Sequence, residues 1–217
     1  MAGPLWLRRL SHRRRVAGTA LADCWQESPP RPGNNWRQGA YLACDAEMSS
    51  LDVGEGELLS LGWVAINEGA VDLGSAEHLL LKPSDSVGQS AAIHQLRDCE
   101  FDDAVDDKTA IEALLAAASG RILVFHYAVL DLAYLDVLCR SVYGAPLLLP
   151  VLDTLALERR CLERRDQPIA SGALRLQACR ERYGLPAYPA HNALVDALAT
   201  AELLLAQGSH GVDLSPQ

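Results

Sequence analysis

The stretch Tyr41-Leu42-Ala43-Cys44-Asp45-Ala46-Glu47 constrains this chain more than any other. Small and apolar residues run directly into an Asp-x-Glu pair, and a polar, glycine-containing segment comes next. This pattern predicts a short buried strand that ends in two carboxylates. Side chains alternate across a strand, so Asp45 and Glu47 point to the same face, a few ångströms apart. Like charges held that close raise each other's pKa unless a positive group lies between them. A divalent cation, which takes oxygen ligands, would serve. Taken alone, the pair also fits a strand that simply ends at the surface, and the choice depends on residues further along the chain.

The chain of 217 residues is 49% apolar, enough for one domain with a sizeable core. No apolar run approaches the 18 residues of a membrane-spanning helix. The N-terminus turns basic at once and lacks the apolar core of a secretory signal. With five Arg and no acid in residues 1–22, a transit-type peptide stays open. The six Cys show no C-x-x-C pair, and several lie in apolar periodic segments. Buried thiols in a reducing compartment are expected, and a cytoplasmic location with them. The net charge of −9 divides unevenly, with +5 on residues 1–40 and −14 on the rest. An acidic body disfavours broad electrostatic binding of nucleic acid, but not a small site where metal ions reverse the local charge.

Three regions are expected: a basic extension and linker over 1–40, a folded domain over 41–207 and a tail over 208–217. The arginines of the extension read either as a solvated helix face or as an arm that touches phosphates or a partner. Strands are predicted at 41–47, 58–66 and 76–81, with Asn67-Glu68-Gly69-Ala70 as a hairpin turn. The acids from Asp98 to Asp107 read as a solvated face. A helix over Thr109–Ser119, a strand at 121–125 and a helix over Ala128–Tyr143 come after them. The fifth strand is expected at Leu147–Leu152, with helices near 154–164, 172–183 and 192–206. Asp153 reads as a helix cap. Three antiparallel strands followed by β-α-β make an α/β fold, a five-stranded mixed sheet flanked by helices.

Three more residues stand out by position. Asp131 falls in the first turn of the helix that starts at Ala128, among Val129, Leu130 and Leu132, a costly setting for an unpaired carboxylate. A helix-dipole role would also explain an acid there. His191 precedes Asn192, which can cap the last helix. From the entering loop, His191 can lean over the same cleft as Asp196 on the first turn.

The order Asp45-x-Glu47, then Asp131, then His191-x4-Asp196 resembles the DEDD exonuclease superfamily in its His-containing branch. That branch includes the proofreading subunit of bacterial replicative DNA polymerase, RNase T and oligoribonuclease. The resemblance covers about residues 40–207, and all five positions match. It implies an RNase H-like fold with two divalent ions, Mg²⁺ or Mn²⁺, held by Asp45, Glu47, Asp131 and Asp196. It further implies a water activated for in-line attack, His191 as general base, and nucleoside 5′-monophosphates released from a 3′ end. By the same resemblance, Ile93 and His94 would contact the terminal base or sugar, although His94 could equally serve as a loop hydrogen-bonder. Two positions depart from the family's pattern. Met48 stands where Thr is usual and Tyr127 where Asn is usual, so both are candidate substrate contacts, and Tyr127 is suited to stack on a base. The implied partners are single-stranded DNA or RNA, a DNA polymerase subunit for any proofreading role, or a second copy of the chain, with no membrane. The rival class is a silent nucleic-acid- or polymerase-binding module on the same fold. Such a module would be expected to have lost a carboxylate or the His.

Overall fold

The computed structural model describes residues 4–29, 35–82, 103–164 and 168–214. Five strands form one sheet: β1 (Tyr41–Met48), β2 (Leu58–Asn67), β3 (Ala70–Leu80), β4 (Ile122–Phe125) and β5 (Val151–Asp153). Their order is β3-β2-β1-β4-β5, so the strand bearing the Asp-x-Glu pair lies in the middle. β1, β2 and β3 pair antiparallel, whereas β1, β4 and β5 run parallel. The hairpin between β2 and β3 turns on Glu68 and Gly69, both with positive φ, as a two-residue turn matched to strand twist requires.

Alternation along β1 sorts its side chains between two cores. Leu42, Cys44 and Ala46 join one cluster with Leu61, Trp63, Leu123 and Phe125. α3 (Asp107–Ala118) and α4 (Ala128–Tyr143) contribute Leu114, Leu115, Leu135 and Leu138 to that side. Tyr41 and Ala43 join the other cluster with Val64, Ile66, Ile122 and Val124. That side is covered by α7 (Ala193–Ser209), through Ala201 and Leu204. Asp45 and Glu47 therefore project on the α7 side, at the end of the strand.

The structure differs from the sequence reading at several places. β3 begins at Ala70, six residues earlier than expected. Its polar start is tolerated because β3 is an edge strand, and the Ser75 hydroxyl accepts from Ala65 N at 2.8 Å where the pairing shifts register. The fifth strand is shorter than expected and begins at Val151. Leu147, Leu148 and Leu149 are buried, but their backbone is not in the ladder. Leu147 O accepts from Trp25 Nε1 at 2.7 Å, and Leu148 O accepts from Arg9 Nε and Nη2 at 3.0 and 2.8 Å.

Those bonds also change the picture of residues 1–40. The described part holds α1 (Leu5–Leu10) and α2 (Ala20–Gln26), and α2 packs on α3. Val16, Leu21 and Cys24 are buried in the same cluster as β1 and β4. Arg15 Nη1 donates to Gly144 O at 2.8 Å. This stretch is thus docked on the far end of α4, and two of its arginines cap carbonyls that no strand partner reaches. At the other terminus, α7 runs on to Ser209 and Leu214 is buried against the second cluster.

Cys24, Cys44, Cys139 and Cys179 are buried thiols without disulfide partners, as their apolar sequence settings lead one to expect, and Cys99 lies outside the described residues. Among the described residues no helix is long and apolar enough to cross a membrane.

Candidate active site

β1 outruns its parallel neighbour, since pairing with β4 stops at Ala43↔Val124. The last residues of β1 therefore face a gap where β4 has ended and α4 begins. Asp131, on the first turn of α4, fills it: its Oδ1 accepts from Ala46 N at 3.1 Å, in place of a strand carbonyl. The carboxyl is only 6% exposed.

The third acid arrives from the opposite end of the chain. Asn192 caps α7 through Oδ1, which accepts from Val195 N at 3.1 Å. Just before it, His191 has φ +70, a left-handed conformation that a non-glycine residue rarely adopts. Its N–H donates to Asp196 Oδ2 at 2.8 Å, so the acid folds back on the residue that enters the helix. His191 stays exposed, near enough to Glu47 to offset part of that carboxyl's shift.

Oxygen atoms of Asp45, Glu47 and Asp196 all lie within 4.8 Å of one another. With burial and Asp131, Asp196 and Glu47 around it, the Asp45 carboxyl is pushed up to about 9. Burial raises Asp131 to about 7 against the pull of its backbone hydrogen bonds. Glu47 is also raised, by burial and by Asp196. Three acids this close, with the buried Asp131 beside them, form a cage in which ionisation is unfavourable unless positive charge enters it.

Residues without obvious chemistry make the cage possible. Gly62 pairs with Asp45 across β1 and β2, on the α7 side. A Cβ there would collide with the carbonyl carbon of Ala193 and with Leu194 N. The bare backbone at Gly62 is what lets the start of α7, and Asp196 with it, descend to the level of Asp45. A glycine inside the apolar run Leu58–Ile66 is the sequence signal for this close approach.

Asp153 does more than cap a helix. It caps α5 (Thr154–Arg164) through Leu155 N at 2.9 Å. The same carboxylate accepts from Tyr127 N at 3.0 Å and Ala128 N at 3.2 Å, which ties down the start of α4. The loop before His191 is held by Arg180, a residue of α6 (Leu176–Arg182) that is 1% exposed. Its guanidinium donates to Pro186 O at 2.9 Å, Ala199 O at 2.6 Å and Glu202 Oε2 at 2.7 Å, and it stacks on Tyr188. Arg180→Met is expected to destabilise the protein by about 2 kcal/mol, read as a lower urea midpoint.

The five residues singled out in the sequence thus converge on one end of the sheet. Asp45, Glu47 and Asp196 form the tight group, Asp131 braces it from α4, and His191 stands at its rim. Tyr127 is half exposed at the start of α4. Met48 is half buried and packs towards the α3–α4 core. Ile93 and His94 lie outside the described residues.

Residues 42–204 match the exonuclease family RNase_T. Two curated relatives are the PolC-type DNA polymerase III proteins of Thermotoga petrophila and Thermotoga maritima. They are 28% identical over 177 residues and 29% identical over 170 residues. The matches cover 79% and 76% of this chain but only 12% of each relative, so the chain spans about an eighth of their length. Among solved structures, cell-death related nuclease 4 superposes with a TM-score of 0.65 at 15% identity, over 82% of this chain and 66% of that one. E. coli Exonuclease I in complex with a dA16 oligonucleotide gives 0.65 at 17% identity, over 78% and 41%. The five-stranded mixed sheet with its flanking helices is the RNase H-like fold these nucleases share. With the family matched across three quarters of its length, this chain belongs to the RNase_T exonuclease family of the DEDD type.

Proposed function

We propose that the chain is a metal-dependent 3′–5′ exonuclease that releases nucleoside 5′-monophosphates from single-stranded DNA or RNA. The observation that carries this reading is the carboxylate group Asp45, Glu47 and Asp196, gathered within 4.8 Å and backed by Asp131. The donor set is all oxygen and strongly anionic, which fits hard divalent cations such as Mg²⁺ or Mn²⁺ rather than thiophilic ones. Two such ions, when bound, would neutralise the scissile phosphate and supply an acidified water.

The chain's own residues then have distinct tasks. Asp45, Glu47 and Asp196 would hold the ions, and Asp131 would complete the set while keeping the end of β1 in place. His191 takes the proton of the attacking water on an imidazole nitrogen as the new P–O bond forms and the bond to the 3′ oxygen breaks. Its strained backbone, bonded to Asp196, keeps the residue at the rim. The PolC-type relatives point to a DNA polymerase as partner, and the Exonuclease I–ssDNA complex to single strands as substrate.

A 5′-labelled single-stranded oligonucleotide, as DNA and as RNA, tests the reading. Stepwise shortening from the 3′ end is expected with Mg²⁺ or Mn²⁺ and none in EDTA. His191→Gln should slow the reaction by about 10²–10⁴-fold, while the melting shift caused by the metal stays intact. An oligonucleotide that survives both metals would favour the silent binding module instead.

A further inference from the structure

We propose that the N-terminal extension is a docking site for an acidic, amphipathic segment of a partner protein. The apolar side chains of that segment seat between α1 and α2, and its carboxylates meet Arg13 and Arg14. The surface lies outside the catalytic fold, so the inference stands whether or not the chain is an exonuclease.

The extension is held as a fixed surface and not as a loose tail. Trp25 and Arg9 are bonded to the carbonyls of Leu147 and Leu148, and Arg15 to that of Gly144. Val16 and Leu21 are buried in the body of the protein. The family match begins at residue 42, so this unit is an addition to the shared fold. It encloses a cavity of about 800 Å³ whose walls include Trp6, Leu10, Arg13, Arg14, Ala22 and Trp25. A cavity of that size has room for more than one large side chain.

Two properties of this surface have no use within the chain. Trp6, Leu7 and Leu10 are 63%, 46% and 53% exposed, three large apolar side chains on a helix of six residues. Single exposed apolar residues are ordinary, but a cluster of them at the mouth of a cavity marks an interaction site. Positive charge is also left without a partner. Residues 1–22 hold five Arg and no acid, while residues 41–217 carry −14. Even so, Arg13 and Arg14 are exposed and make no ion pair or side-chain hydrogen bond among the described residues. Trp and Arg are the residue types that most often carry the binding energy of a protein interface.

Charge and position select the occupant. Unpaired guanidinium groups call for an anionic partner, and the indole rings beside them for one that also offers apolar side chains. Nucleic acid is anionic too, but the location disfavours a substrate strand. The cavity lies towards the C-terminal end of α4, and from Asp131 to Tyr143 that helix rises about 18 Å. On the way, the cleft at the α3–α4 face is lined by Glu57, Asp106 and Asp107 against Lys82, which repels a polyanion. An acidic peptide segment needs no such path, and once seated it leaves the carboxylate group open.

The probe is a fluorescein-labelled synthetic peptide with Leu and Phe at helical spacing and Asp or Glu elsewhere, titrated with the full chain in EDTA. Saturable binding is expected, weakening as salt rises from about 50 to 500 mM. The paired change Arg13→Glu and Arg14→Glu should weaken it at least about tenfold, and so should Trp6→Ala. All three side chains are exposed, so each variant should melt with the parent. Peptides with Lys in place of the acids, or Ser in place of Leu and Phe, should not bind. No saturable binding of the acidic peptide, or equal binding by parent and variants, overturns the proposal. A labelled oligothymidylate is the competing ligand. If it binds in EDTA, loses about tenfold in the Arg13→Glu, Arg14→Glu variant and is not displaced by the peptide, the extension is a nucleic-acid surface and the proposal falls.

Discussion

Asp45→Asn is expected to lower the exonuclease rate by more than about a thousandfold, roughly 4 kcal/mol of transition-state stabilisation, and to make the metal-free protein more stable. Both effects come from the same crowding. Asp45 is held up to about 9 and Asp131 to about 7, against an ordinary carboxyl value of 3.8. In the unfolded chain both return to ordinary values. Between about pH 4 and pH 9 the unfolded chain has released protons that the folded protein retains. The stability of the ion-free protein must therefore fall as pH rises through that window and level off above it. Removing one acid relieves part of the repulsion, so in EDTA at pH 8 the variant should melt about 3–6 °C above the parent. Mn²⁺ should raise the melting point of the parent by about 5–10 °C and that of the variant hardly at all. Thermal melts over pH, with and without metal, give the slope and the shift. A flat pH response in EDTA would show that these acids do not share one cage.

Gly62→Ala is expected to cost about 3 kcal/mol or more of stability and nearly all activity, although Gly62 carries no functional group. The added methyl would overlap the backbone of Ala193 and Leu194, which cannot rotate away as a side chain can. Either the first turn of α7 lifts or the variant unfolds. Lifting moves Asp196 away from Asp45 and Glu47 and opens the tight group. The discriminating measurement is metal affinity in the folded variant at low temperature, by Mn²⁺ titration. A folded Gly62→Ala protein that binds Mn²⁺ as the parent does would show that α7 tolerates the displacement. Ala193→Gly leaves that backbone approach in place and should spare affinity.

The carboxylates were legible because their order and spacing resemble the DEDD pattern, whereas each context alone also fitted an ordinary structural role. Asp45 ends an apolar strand and Asp131 opens an apolar helix. Asp196 sits one turn past a capped start, and a sheet with β1 in the centre brings all three to one end. Periodicity placed α4 within its observed bounds because a helix of sixteen residues has a clear apolar stripe and a glycine stop. Other features were not legible because they depend on partners distant in sequence. Leu147–Leu149 look like a strand, yet the carbonyls of Leu147 and Leu148 are taken by Trp25 and Arg9, more than a hundred residues away. The Arg-rich segment looks like an appendage because charge dominates its composition. Its docking depends on a few buried residues, Val16, Leu21 and Cys24, spaced too widely to form a pattern. Asp153 looks surplus in the sequence because its second task, holding the N–H groups of Tyr127 and Ala128, exists only once β4 and β5 are side by side.

The distance along the chain between Asp45 and Asp196 has a consequence for the cell that makes this protein. The two halves of the carboxylate group are separated by about 150 residues, and the second half lies on the last helix of the described chain. Contacts of such long range form late in folding. A growing polypeptide on the ribosome, or a fragment cut before α7, would have Asp45 and Glu47 without Asp196 and without His191. The complete carboxylate group would then exist only once α7 has packed on the sheet.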